Sequence, residues 1–441
     1  MQADTILKNG TIVTVNPDFE IIYYGWIGIT NGVITHLGAE KDIAALPDAD
    51  ETLDVNGAIV LPGLVNTHTH LPMALFRGLA DDLPLMEWLN EHMFPAEAAH
   101  VGPDMVRAGT LLSCAEMLLS GTTTCCDGYF FETIAAEAVQ TAGMRAILGQ
   151  GVIDFPAPGV PDPKGNVAHA VRFAEKWKGR SPLITPSIFC HSPYTCGEET
   201  LKKAKEAALK AGLLFQIHAA ETKTEHDQIV KEKGATPIGY LHRLGLLDSQ
   251  TLLVHTIWVN KKDISLIAQL NSAVSVTTES EMKLASGIAP LPDFVSAGIR
   301  VGLGTDGCAS NNDQDMFQEM DMTAKLHKVH QLAPTVMEAK TVLTLATMGG
   351  ASAIGMADRI GSLEIGKQAD LIVIPTRQPH LTPLYSPVSH AVYTARGSDV
   401  SDVMVAGRWL VRNRELLTLD TEAIINSAMK WGERIGLSRA S

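Results

Sequence analysis

Between residues 61 and 307, eight short apolar runs alternate with stretches of helical period. The runs are LPGLVNTH, GTTTCCDG, RAILGQGV, LITPSIFCH, LLFQIHA, TLLVHT, AVSVTTE and RVGLGTDG; DMVRAGTLLSCAEMLLSG and EETLKKAKEAALKAG typify the stretches between them. A parallel strand can follow its neighbour only through a long crossover, usually a helix, so this alternation predicts a parallel α/β sheet. Eight units suit a closed (β/α)8 barrel of TIM type or a doubly wound open sheet. Reactive residue types separate the two. His68 and His70 follow the first run, and His218, His255 and Asp306 lie at the ends of three others. A barrel gathers its strand ends around one axis, so a barrel is the expected fold.

The flanks have a different texture. Residues 1–60 read as short strands broken by turns, with Asn-Gly pairs at Asn9-Gly10, Asn31-Gly32 and Asn56-Gly57 as hairpin signals. The opening MQADTILKNGTIVTVN reads as such a hairpin and not as a signal peptide. ADLIVIP, HAVYTA and VSDVMVAGRWLVRNREL bring the β texture back near the C-terminus, and residues 421–437 carry a final helix capped by Asp420 or Thr421. The expected organisation is a small β-sandwich domain built from residues 1–60 and 362–441 around a barrel of residues 61–361. At 441 residues and 46% hydrophobic composition, the chain can bury both cores.

A net charge of −14 repels phosphate backbones and argues against a nucleic-acid partner. No apolar run approaches eighteen residues, so no membrane span is expected. The six cysteines form no CxxC pair and no legible disulfide framework, which suits the cytoplasm.

At strand period two, His68 and His70 point to one face and can reach one metal ion. His218 ends a strand and can ligate. Glu221 lies three residues on, where a carboxylate can take a proton from a metal-activated water. Asp306 can both ligate and hold that water. His255 can ligate or hydrogen-bond the nucleophile; the second role is favoured because His68, His70, His218 and Asp306 already complete a ligand set. One metal ion per subunit is expected, and Zn2+, Fe2+ or Mn2+ suits these imidazole and carboxylate donors alike.

With PGLVNTHTH, HAAE, VHT and GLGTDGCASNN in order, followed by GSLEIGKQADLIVI, the chain resembles the amidohydrolase superfamily over nearly its whole length. HxxE after the fifth strand resembles its mononuclear deaminase branch. HTHLPMALFRGLADDLPLMEWL, KLASGIAP and GCASNNDQDMFQEMDMTAKLHK resemble the 5′-methylthioadenosine/S-adenosylhomocysteine deaminases within it. The resemblance implies hydrolytic deamination of the adenine ring of such nucleosides, adenosine and 5′-deoxyadenosine included, to the inosine derivative and ammonia. It implies zinc on His68, His70, His218 and Asp306, proton transfer by Glu221, and orientation of the nucleophile by His255. It also implies Trp88 against the nucleoside, Glu97 on the ribose hydroxyls, His191 at the purine, and a homodimer or homotetramer. Taken alone, Trp88 fits ordinary helix packing and Glu97 a solvated helix charge.

Two departures stand out. The stretch before KL reads VTTESEM, so Val276, Thr277, Thr278 and Glu281 differ from the resembled pattern. Arginines expected after the third strand are replaced by Gln150, with Lys164 the next cation; these two become the expected substrate contacts, and an uncharged methylthio substituent the preferred one. Rival readings are a hydrolase of the same scaffold acting on a triazine, guanine, a pterin or cytosine, and a non-catalytic binding protein on this fold.

Overall fold

The computed structural model describes residues 3–39 and 48–440. The expected 1–60 segment therefore falls partly outside the described residues, at 1–2 and 40–47. Five strands come first: β1 (Ala3–Val13), β2 (Ile21–Thr30), β3 (Val33–Ala39), β4 (Ala49–Asp54) and β5 (Ile59–Pro62). Eight follow: β6 (Leu64–Thr69), β7 (Thr122–Tyr129), β8 (Arg145–Val152), β9 (Ile184–Cys190), β10 (Phe215–Ala219), β11 (Thr251–His255), β12 (Ala273–Val276) and β13 (Arg300–Leu303). Four come last: β14 (Leu371–Ile374), β15 (Asp402–Val405), β16 (Arg408–Arg412) and β17 (Glu415–Leu416).

Strands β6 to β13 form one parallel sheet in chain order, and each of the eight apolar runs carries one of them. Nearly every residue on these strands is buried, as parallel strands covered on both faces require. The sheet closes as the expected (β/α)8 barrel by an unusual route. At the β6–β13 seam, Thr67 Oγ1 donates to Leu303 O (2.9 Å), Asn66 Nδ2 donates to Thr305 Oγ1 (2.8 Å), and Asn66 Oδ1 accepts from Thr305 N (3.1 Å). One backbone bond, Asp306 N to His68 O at 3.0 Å, completes it. A Cβ on Gly302 would stand 2.3 Å from the Thr67 side chain, and one on Gly304 would stand 2.7 Å from His68 N. These glycines thus let the barrel close.

The second sheet has the order β17-β16-β15-β14-β5-β1-β2-β3, with β4 also on β1, so both chain ends build it. The junction pairs Val60 of β5 with Val373 of β14. The sheet folds over itself: Ala369 N bonds Gly32 O at 2.9 Å, Gly407 N bonds Ala369 O at 3.0 Å, and Ile29, Ile34, Leu371 and Met404 share one core. A buried ion pair, Arg145 Nε to Asp370 Oδ2 at 2.9 Å, ties this domain to the start of β8.

Three local expectations change. Of the Asn-Gly pairs, only Asn31-Gly32 turns a hairpin, joining the paired strands β2 and β3. Asn9-Gly10 is an irregularity inside β1 (Asn9 φ 60°) and divides its pairing between β4 at residues 3–8 and β5 at residues 11–12. Asn56-Gly57 turns between β4 and β5, which both pair with β1. HAVYTA is mostly helical, within Pro387–Tyr393, because Ser386 caps and Pro387 occupies the first turn. The terminal helix runs Thr421–Ala440 with the Asp420 side chain accepting from Ala423 N (3.0 Å), and its Ile435 packs in the cluster that holds Trp88 and Met93.

Candidate active site

The strand ends β6, β10, β11 and β13 converge on a buried polar floor. His218 Nε2 stands 3.1 Å from His68 Nε2, and Asp306 Oδ1 stands 3.4 Å from both His68 Nε2 and His70 Nε2. Four donors at bonds of about 2.05 Å in a tetrahedron stand about 3.3 Å apart, so this spacing suits one small cation. Two clusters, His68/His218/His255 and His68/His70/Asp306, each keep their donor atoms within 4.8 Å of one another. Burial lowers the basicity of His68 and, together with the neighbouring imidazoles, that of His218. Neutral rings with free lone pairs are what a metal needs. His70 Nδ1 lies 2.7 Å from the Gly128 carbonyl, which orients its Nε2 toward the cluster.

Asp306 is anchored by its other oxygen. Ser280 Oγ and Ser310 Oγ both donate to Oδ2, at 2.7 and 2.6 Å. Strain collects around the floor: Ala220, His255, Thr256 and Asp306 adopt φ values of 56°, 67°, 57° and 60°, in the left-handed region.

Glu221 sits beyond the end of β10, with Oε2 3.9 Å from His255 Nε2. Burial, with Asp306, Glu225 and Glu281 nearby, pushes its carboxyl well above the ordinary range, so it holds a proton readily. Its backbone is clamped by Glu225, whose two oxygens accept from Ala220 N (3.0 Å) and Glu221 N (2.7 Å). His255 is pushed down to about 3, chiefly by burial. Its Nδ1 meets Thr277 Oγ1 at 2.9 Å.

Above the floor opens a pocket. His70, His218, Glu221, His255 and Asp306 line it, and so do Trp88, Glu97 and His191. Trp88 is buried and fixed by its Nε1 donating to Ala80 O at 3.1 Å. Glu97 is buried too, accepts from the Tyr129 hydroxyl, and is raised by burial. His191 Nδ1 meets Thr195 Oγ1 at 2.9 Å, and burial pushes the ring down to about 4. The outer wall is apolar: Leu85, Leu89, Phe94, Phe155, Pro156 and Pro158. Among the described residues, no lysine or arginine lines this pocket.

Gln150 and Lys164 lie away from it. Gln150 does not line the pocket, and its Oε1 accepts from Glu132 N at 3.2 Å. Lys164 is exposed in the short turn Pro163–Gly165. Sequence reasoning also missed residues that matter here. Tyr129 ends β7 and Ser310 lies one helical turn past Asp306, both placed where a strand-end argument could have found them. Ser280 and Glu225 act through hydrogen bonds that nothing in local pattern announces.

Comparison with known proteins matches residues 59–410 to the amidohydrolase family. The chain belongs to that family and is a hydrolase acting on carbon–nitrogen bonds outside peptides. It is similar to the 5-methylthioadenosine/S-adenosylhomocysteine deaminase of Syntrophobacter fumaroxidans, at 46% identity over 96% of each chain. It is also similar to the 5′-deoxyadenosine deaminase of Methanosarcina mazei, at 40% identity over 98% of each chain. Among solved structures, an adenosine deaminase from Xanthomonas campestris with bound zinc superimposes with a TM-score of 0.96 at 37% identity, covering 99% of both chains.

Proposed function

We propose that this chain hydrolytically deaminates the adenine ring of nucleosides with an uncharged 5′ group, with 5′-methylthioadenosine and 5′-deoxyadenosine ahead of S-adenosylhomocysteine. The observation that carries this reading is the buried imidazole–carboxylate floor with Glu221 beside it, under a pocket whose outer wall is apolar and free of cations among the described residues. The named relatives support the adenosine core of the substrate.

His68, His70, His218 and Asp306 hold the metal, and the spacing of their donor atoms and the zinc of the Xanthomonas relative support that ion. Zinc supplies, when bound, a water acidic enough to attack at neutral pH. Glu221 accepts a proton from the attacking water and delivers it to N1 of the ring, a task that its raised proton affinity suits. Asp306 and His255 orient the attack on C6. His191 hydrogen-bonds the purine, Trp88 packs against the nucleoside, and Glu97, held by Tyr129, accepts from the ribose hydroxyls. An amino-acid carboxylate at the 5′ end would find no guanidinium to pair with in this pocket.

The same reading carries the division 1–60, 61–361 and 362–441, supported by a small sheet built from both chain ends. It also carries a cytoplasmic location, supported by six buried, free cysteines. No helix among the described residues is long and apolar enough to cross a membrane.

The test is ammonia release, with the adenine-to-hypoxanthine absorbance change, across methylthioadenosine, 5′-deoxyadenosine, adenosylhomocysteine, adenosine, free adenine, guanine and a chlorotriazine. Turnover of nucleosides, with kcat/KM highest for the uncharged 5′ groups, is expected. Equal values for methylthioadenosine and adenosylhomocysteine would remove the 5′ preference. Turnover of free bases or triazine alone would overturn the nucleoside reading.

A further inference from the structure

The stretch VTTESEM, which departs from the resembled pattern, ends β12 at Val276, turns at Thr277 and enters the short helix Thr278–Lys283. Its first residues grip two groups of the floor together. Thr277 Oγ1 meets His255 Nδ1 at 2.9 Å, and Ser280 Oγ donates to Asp306 Oδ2 at 2.7 Å. Behind Thr277 lies Glu281, whose Oε1 accepts from Thr277 N at 3.1 Å and stands 3.4 Å from Thr277 Oγ1. Glu319, from the helix Met316–Gln331, accepts from Thr278 N (2.6 Å) and Glu279 N (3.2 Å). Thr277, Thr278, Ser280, Glu281 and Glu319 are all buried. The turn is thus held by two carboxylates and presents its side chains to the site.

One hydroxyl proton decides what His255 can do. Thr277 Oγ1 sits between a ring nitrogen and a carboxylate oxygen. Oε1 already accepts a backbone N–H, and it is the acceptor that the Thr277 hydroxyl proton can reach on the far side from the ring. The lone pairs of Oγ1 then face His255 Nδ1 and accept its proton. We propose that Thr277, backed by Glu281, is a positioning residue that keeps His255 protonated on Nδ1 and unprotonated on Nε2. The Nε2 lone pair therefore faces Glu221 and the reacting centre. His255 acts there as a hydrogen-bond acceptor for the nucleophile's proton, and the same turn fixes its place relative to Asp306 through Ser280.

This inference rests on the deaminase reading only for the substrate used in the kinetic arm. The decisive readout needs no substrate: the 15N shifts of His255 in the zinc-loaded chain labelled at histidine, assigned by comparison with His255→Gln. A protonated Nδ1 and an unprotonated Nε2 are expected in the wild type and in Thr277→Ser. Thr277→Val is expected to lose that preference. In the kinetic arm, Thr277→Val should lower kcat about 10–100-fold while KM stays within about threefold, and Thr277→Ser should recover most of the loss. Zinc content should remain that of the wild type. A wild-type His255 protonated on Nε2 overturns the proposal. So does a Thr277→Val enzyme with wild-type kcat, or a loss that Thr277→Ser shares in full.

Discussion

The floor and the wall of the pocket are built by different parts of the same barrel. The floor comes from the ends of β6, β10, β11 and β13, where His68 stands 3.1 Å from His218 and Asp306 stands 3.4 Å from His68 and His70, close to strands whose hydrogen-bonded ladders fix them. The wall comes from connections: the helical stretch 85–100, with a π-turn over Trp88–Met93, and the segment 153–158. Chemistry that tolerates little displacement sits on the rigid sheet, while shape and polarity toward the substituent sit on loops that can vary without disturbing it.

The contrast can be broken or sharpened by substitution. Glu221→Gln strikes the floor and should lower kcat by about two to four orders of magnitude while nucleoside binding persists. Retained turnover would remove Glu221 from its role. Tyr129→Phe strikes the wall by releasing Glu97, and a charge-assisted hydrogen bond of about 1.5–3 kcal/mol predicts a KM for ribosides about 10–100-fold higher with kcat kept. A fall in kcat alone would move Tyr129 from wall to floor. The smallest effect lies beneath the floor, at Glu225, whose carboxyl burial lifts from 4.5 to about 7. A group raised on folding favours the folded state below its unfolded pKa and loses that contribution as pH rises to its folded one. The stability of the wild type relative to Glu225→Gln should therefore fall between pH 4.5 and about 7 and level off above, as Tm against pH would show. A flat difference would mean that Glu225 is ionised throughout.

The barrel was legible because strands buried on both faces read as unbroken apolar runs, and its donors because each stands at a run's end. Trp88 and Glu97 were placed only through resemblance, since a helix seen alone does not reveal what lies above it, whereas His191 also stands at the end of the fourth run. Gln150 and Lys164 illustrate the opposite limit. Proximity to a strand end did not settle where Gln150 points; its side chain is taken up by the backbone of Glu132 instead. Asn9-Gly10 carries the turn residues of a hairpin, yet β1 needed a kink to pair with two strands in succession. Thr277 and Glu281 were visible only as departures, because their purpose lies in a neighbour from β11 that local sequence does not contain.

The seam between β6 and β13 bears on how the protein comes to exist. His68 and Asp306 stand on opposite sides of it, and the bond from Asp306 N to His68 O is part of the closure. A growing chain that has made β6 through β12 therefore has a curved, open sheet and an incomplete donor set. Pairing the last strand with the first both closes the barrel and brings Asp306 to the imidazoles, so a chain cut before β13 lacks the carboxylate of the donor set.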